Sequence, residues 1–166
     1  MYDLIIIDDG PSGASAERRA GKLGLNTLLL EKDEFPRYKP CDGGLSEHSI
    51  SDLDFDLPLK IIEREITGAK LFFKEQFIKD KEKHRLFVLI SSNEFDTFFL
   101  EKAKETGIEV HTKEKVLCCE EMPTYIEVKT KKTVYHAKFV VVVEEAQGVV
   151  KKCVRPADIS GNMGCV

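Results

Sequence analysis

An α/β fold built around a parallel sheet is predicted by three observations. The first is a strand, glycine turn, helix, strand and acid in the opening stretch "LIIIDDGPSGASAERRAGKLGLNTLLLEK", which reads as a βαβ unit of the nucleotide-binding kind. The second is two later short segments, residues 108–111, read as a third short parallel strand, and the continuously apolar residues 139–143, of the type that forms a strand buried in a parallel sheet. The third is a set of intervening segments whose alternation suits antiparallel strands. The sheet is therefore assembled from segments far apart in the chain.

Taken in order, residues 4–7 are continuously apolar and predict a strand covered on both faces. From Ser12 to Leu23 small residues dominate, with Ala14, Ala16, Ala20 and Leu23 available for close packing, and Gly24 stands at the expected helix C-terminus. Residues 27–30 form the second buried strand, closed by Glu31. Residues 32–56 show punctuation without periodicity, at Pro36, Pro40, Gly43 and Gly44, and read as an ordered surface loop. Residues 61–73 and 85–90 read as strands of a second, antiparallel layer, to which residues 57–92 contribute. Ser91 then opens a helix with the Ser-x-x-Glu spacing to Glu94, with Phe95, Phe98, Phe99 and Ala103 as its buried stripe and Gly107 at its end. Residues 116–119, 125–130 and 133–136 suggest a small meander, followed by a fully buried strand over 139–143. The expected organisation is one domain over 1–166, without repeats, low-complexity tracts or linkers.

The chain of 166 residues is long enough to bury roughly 70% of its unfolded surface. It carries 25 Lys and Arg against 29 Asp and Glu, so its net charge of −4 is a small difference between large mixed populations and argues against nucleic acid as partner. No apolar run approaches the ~20 residues of a membrane helix, and there is no secretion signal, so a cytoplasmic location is expected, with peripheral membrane attachment as a variant. The odd cysteine count (Cys41, Cys118, Cys119, Cys153, Cys165), without a CxxC pair, predicts thiols. His48, His84, His111 and His136 lack metal-ligand spacing, and no metal site is expected.

The turn "GPSG" at Gly10–Gly13, "LLLEK" ending in Glu31 and Lys32, "FPRYKPCDGGL" from Phe35, "NEFDTFFLEKAKETGIEV" from Asn93 and "FVVVVEEAQGVV" from Phe139 together resemble the geranylgeranyl reductase family of FAD-dependent oxidoreductases, related to the hydroxybenzoate hydroxylase type of flavoprotein. The resemblance implies a Rossmann-like FAD-binding parallel sheet with a small antiparallel β layer, incomplete relative to the family, whose members run to about twice this length or more. It implies FAD as cofactor and reduction of isoprenoid double bonds in membrane lipids as the activity. By the same resemblance Gly10, Pro11, Ser12, Gly13, Glu31, Lys32, Cys41, Asp42, Gly43, Gly44, Ser92 and Val116 fall at cofactor-binding positions, and Cys41, beside flavin and substrate, is the candidate catalytic residue. Gly10 and Gly13 allow backbone N–H groups and the helix N-terminus to approach a phosphate, and Glu31 can accept from ribose hydroxyls.

Several positions depart from the family pattern. Glycine is usual where Asp8 and Asp42 stand, glycine or another small residue where Asp9 stands, arginine at Ser92, and an acid-glycine pair where Glu144 is followed by Glu145. Each change adds negative charge, or removes positive charge, beside an anion. One carboxylate 4 Å from a phosphate charge costs about 4 kcal/mol at an effective dielectric of 20, against about 12 kcal/mol that holds a nanomolar ligand. The expectation is the FAD-binding portion of such an enzyme with weak or absent FAD binding and no catalysis alone. A cofactor-free interaction or assembly module and a weak adenine-nucleotide-binding protein are the alternatives. Self-association, or a missing second half, is expected from the strand over 139–143.

Overall fold

A computed structural model describes residues 1–8, 10–37, 43–74, 76–81 and 84–143. The chain divides into two compact units, one formed by residues 1–37 and 96–166 and the other by residues 38–95.

The first unit is organised by the βαβ element. Strand β1 (Tyr2–Ile7) leads through a turn into helix α1 (Pro11–Lys22) and strand β2 (Thr27–Leu30), which pairs parallel with β1 in the register Ile7 to Leu30. Helix α1 ends as its glycine requires. Gly24 adopts φ +72°, and the Leu25 and Gly24 N–H groups donate to the carbonyls of Ala20 and Gly21, closing the helix in a Schellman arrangement. Gly21 faces Thr106 so closely that a Cβ would overlap the Thr106 hydroxyl. Arg18 Nη1 donates to the Lys102 carbonyl at 2.6 Å, which ties α1 to helix α3 (Ser92–Lys104).

Strand β8 (Glu109–His111) adds parallel to the outer edge of β2, and the meander β9 (Val116–Glu121), β10 (Ile126–Thr130) and β11 (Val134–Val142) completes a six-stranded sheet in the order β8-β2-β1-β11-β10-β9. The expected third arm of the meander and the expected parallel strand over 139–143 are one nine-residue strand. The N-terminal part of β11 runs antiparallel to β10 as far as Ala137, and Phe139 to Val142 run parallel to β1. This continuity also corrects the expected complete burial of 139–143: Phe139 is 69% exposed, and Val141 and Val142 are 38% exposed.

Two clusters form the core of this unit. Ile5, Ile7, Leu28 and Leu30 pack with Val116, Cys119, Val128 and Ala137, so the meander folds over one face of the parallel strands. Ile6, Leu29 and Leu100, with Ala16 and Val110 against them, bring α1 and α3 onto the other. Within α3 the buried stripe is Phe95, Phe99, Leu100 and Ala103; Phe98, expected in it, is half-buried, and Leu100 takes the core position. Gly107 ends the segment at φ +84°.

The second unit holds two small sheets. Strand β3 (Gly44–Ser46) and strand β4 (Ile62–Ile66) flank β7 (Phe87–Ile90), both antiparallel to it. Strands β5 (Gly68–Phe73) and β6 (Gln76–Lys81) form a separate two-stranded hairpin. The antiparallel layer is thus present, but β6 was not legible in the sequence because its lysines break the alternation. The region read as plain loop contains β3 and the short helix α2 (Glu47–Ser51), whose N–H of Ser49 donates to the Ser46 hydroxyl at 3.1 Å. Three and five residues are too short to show a period.

Candidate functional site

The candidate site is the turn from β1 into α1 together with the end of β2. Spaced as Asp8-x-Gly10-x-x-Gly13, the turn carries the geometry of a dinucleotide-binding G-x-G-x-x-G segment, in which the first residue makes the tight turn, the second admits a phosphate and the third allows close helix packing. Asp8 adopts φ +72°, the left-handed region that glycine occupies without strain, so the conformation of the first glycine persists although the residue does not. Gly10 is the buried N-cap of α1, with extended backbone, and its carbonyl accepts the Ala14 N–H at 2.9 Å. A Cβ on Gly13 would lie 2.7 Å from the Asp8 carbonyl, so only glycine lets the helix start this close to the turn. Pro11 and Ser12 are exposed in the first turn of α1, which contains no acidic residue and leaves its N-terminal dipole uncompensated from within the helix.

The charges around this turn are held by one another. Glu31, fully buried at the end of β2, accepts the Asp33 backbone N–H at 2.7 Å through Oε1, and its Oε2 lies 3.2 Å from Arg37 Nη1. The same guanidinium nitrogen lies 3.6 Å from Asp8 Oδ1 and 3.6 Å from Asp33 Oδ2. Lys32 Nζ adds a second cation 3.6 Å from Asp8, from a half-exposed position. The Asp8 and Arg37 side chains are 8% and 7% exposed, so this cluster is an interior feature of the turn. The Arg37 guanidinium also lies over the Phe35 ring, 5.0 Å from its centroid.

Arg37 is the residue that sequence reasoning missed. It lies inside "FPRYKPCDGGL", a stretch without a period to mark its position, although three acids that converge on one turn require a cation when two of them are buried. The signal was the conjunction of Asp8, Glu31 and Asp33 with a lone arginine in the following loop. Val116 is 3% exposed, and its side chain belongs to the core beside Ile7 and Leu30, so only its backbone is available to a ligand. Gly43, Gly44 and Ser92 belong to the second unit. Gly43, at φ +65°, packs against the Ile90 carbonyl and accepts the Ile90 N–H at 2.9 Å; Gly44 opens β3 and Ser92 opens α3. Cys41, Asp42, Asp9, Glu144 and Glu145 lie outside the described residues.

A second polar cluster ties β8 to the meander. Glu114, 4% exposed, accepts from the Thr130 hydroxyl at 2.9 Å and the Tyr135 hydroxyl at 3.0 Å, and Lys132 Nζ lies 3.4 Å away. His111 Nδ1 is 2.9 Å from the Tyr135 hydroxyl, and its Nε2 is 2.9 Å from Glu109. Burial pushes the Glu114 carboxyl up, but the hydrogen bonds from Thr130 and Tyr135 and the Lys132 charge outweigh it, and the net direction is downward. Burial and the bond to Glu114 push the Tyr135 hydroxyl up to about 12. Burial and Glu109 do the same to Tyr2. Among the described residues no group of His, Cys, Asp and Glu has the geometry of a metal site, and no helix is long and apolar enough to cross a membrane.

No protein-family model matches the chain. A digeranylgeranylglycerophospholipid reductase from Thermoplasma acidophilum is 30% identical over 122 residues, which cover 70% of this chain and 31% of that protein. Among solved structures, a geranylgeranyl bacteriochlorophyll reductase-like protein from the same species superposes with a TM-score of 0.81 at 22% identity, covering 92% of this chain and 41% of that one. A myxobacterial chondrochloren halogenase, described as FAD-dependent, superposes with a TM-score of 0.76 at 18% identity, covering 92% of this chain and 39% of that one. These likenesses place the mixed sheet and its helices in the Rossmann-like FAD-binding fold. The chain spans a third or less of the length of the curated reductases it matches, and over that span it is a homologue of the geranylgeranyl reductases.

Proposed function

We propose that the chain is the FAD-binding portion of a geranylgeranyl-reductase-type flavin oxidoreductase, with the double bonds of an isoprenoid lipid as the substrate class, and that its own turn binds FAD weakly and does not catalyse reduction alone. The observation that carries this reading is Arg37 between Asp8 and Glu31. A pyrophosphate at Gly10–Gly13 would meet the Asp8 carboxylate beside the turn. A ribose hydroxyl would find the Glu31 oxygens buried and already engaged by the Asp33 N–H and Arg37. The residues present keep the frame of a dinucleotide site and do not fit its charge. The turn is closed by an internal ion cluster where a cofactor would otherwise complete it.

Titration of the purified protein with FAD, followed by flavin fluorescence and absorption, tests this directly. Weak or undetectable binding is expected, and stoichiometric flavin that copurifies with the chain would overturn the reading. A thermal shift with ADP and no yellow colour would favour an adenine-nucleotide protein instead. An assembly role has one observation in its favour: Phe139, Val141 and Val142 are exposed on a stretch of β11 that β10 does not reach, which presents an edge and an apolar surface to a second chain. Light scattering over a concentration series decides it, since a strictly monomeric protein at high concentration removes the self-association.

A further inference from the structure

The β5–β6 hairpin in the second unit is not part of the turn described above. Its six backbone pairs, from Gly68–Lys81 to Phe73–Gln76, are with itself. Leu71, Phe72, Phe73, Phe77 and Ile78 are all more than half exposed, at 56% to 71%. Strand alternation puts them on both faces. Leu71 pairs with Ile78 and shares a face with Phe73, while Phe72 pairs with Phe77 on the opposite face. On that second face Lys70 pairs with Lys79, and Lys81 follows toward the base of the hairpin. The Lys70 ammonium lies over both rings, 3.8 Å from the Phe77 centroid and 4.6 Å from that of Phe72. Lys70, Lys79 and Lys81, with Glu65, Thr67 and Gly68, line a shallow pocket at the base.

From this arrangement we infer that the hairpin is a docking element for an anionic lipid bilayer surface. Charge is the first argument. The chain as a whole carries −4, yet residues 68–81 hold four lysines against two acids, so the hairpin is a basic element on an acidic protein. The second is the distribution of apolar groups. Leu71, Phe73 and Ile78 project from one face and Phe72 and Phe77 from the other, so both faces offer apolar surface to a fluid apolar phase that surrounds the element. The third is the form of the cations. The Lys70 ammonium over the exposed Phe77 and Phe72 rings holds positive charge directly beside apolar surface, as the boundary between lipid phosphates and acyl chains requires. Each lysine near an anionic membrane surface raises affinity about fivefold. None of this depends on FAD, so it stands or falls apart from the cofactor reading.

The test is co-sedimentation of the full chain with phosphatidylcholine vesicles and with vesicles that also contain phosphatidylglycerol. The wild type is expected to sediment with the anionic vesicles, less with phosphatidylcholine alone, and less again as salt rises. L71S/F73S/I78S, at exposed positions, is expected to keep the melting temperature and to lose about tenfold or more in vesicle affinity. K70E/K79E is expected to lose about tenfold or more on the anionic vesicles; should the apolar variant fail to fold, this one carries the test. Wild type that stays in the supernatant with anionic vesicles overturns the inference, as does equal binding by either folded variant. A wild-type dimer that L71S/F73S/I78S converts to monomer, with vesicle affinity unchanged, assigns the surface to a second copy and also overturns it.

Discussion

The turn around Asp8 and the staple around Glu114 each bury a carboxylate, and they solve the problem differently. At Glu114 the carboxylate is held by several neighbours, two neutral hydroxyls and a largely exposed lysine, so its interactions are distributed. At the turn, one buried guanidinium nitrogen stands between Asp8, Glu31 and Asp33, with the half-exposed Lys32 as a second cation beside Asp8 alone. A distributed arrangement tolerates the loss of a member, because the remaining donors still solvate the acid. A concentrated one does not, because removal of the shared cation leaves several carboxylates facing one another in a water-poor region. The staple ties β8 to the meander, and in the turn the acids and Arg37 hold one another.

The largest effect expected from this contrast is at Arg37. Arg37→Met should cost about 3–5 kcal/mol, the usual penalty for stranding buried charge, while Lys132→Met should cost at most about 1 kcal/mol because the lysine is 58% exposed. Denaturant melts of the two variants break the comparison if their losses are similar. Combining Arg37→Met with Asp8→Gly should recover part of the loss, since one fewer acid then faces the vacated cation position.

The next effect is on ligand affinity. Replacing Asp8 with Gly and Asp9 with Ala should raise affinity for FAD or ADP by about tenfold or more, because a carboxylate near a phosphate costs on the order of 4 kcal/mol before water and counterions reduce it. Stability should move by less than about 1 kcal/mol, since relief of the positive φ at Asp8 offsets the lost pairing with Arg37. Calorimetric titration that shows no gain would mean that charge at the turn is not what limits binding.

The staple should show itself in pH dependence. The Tyr135 hydroxyl, raised to about 12 from its usual 10.0, favours the protonated folded form, so its contribution is present below pH 10 and is lost as pH rises through 10 toward 12. Glu114, lowered from 4.5, contributes above that value and loses its contribution as pH falls through its folded pKa. Tyr135→Phe should flatten the alkaline limb of the stability profile and Glu114→Gln the acid limb. Wild-type limbs in both variants would show that the staple is not what titrates.

The smallest effect sits outside both clusters. Ser91 directly precedes α3, and its carbonyl accepts the Phe95 N–H at 2.9 Å. As an N-cap its side chain should be worth about 1 kcal/mol, so Ser91→Ala should lower the denaturant midpoint slightly, whatever the turn binds. An unchanged midpoint would remove the cap.

The sequence by itself determined the βαβ unit, the helix stops at Gly24 and Gly107, the parallel placement of β8 and the antiparallel layer. Each of these is written locally, in an apolar run, a glycine that can adopt positive φ, or an alternation. The turn was legible in the same way, since Gly13 stands where close approach of the backbone demands it. Tertiary structure alone decided that residues 134–142 make one strand, because an antiparallel partner at one end and a parallel partner at the other leave no local mark at the change. It also decided the fate of the acids. Along the chain Asp8 reads as repulsive to a phosphate and Glu31 as an acceptor for ribose hydroxyls, and what each does depends on what lies beside it. Arg37 comes to them from a loop whose sequence has no period to reveal its path, and electrostatic energy depends on distance in space and on burial, neither of which is encoded by spacing along the chain.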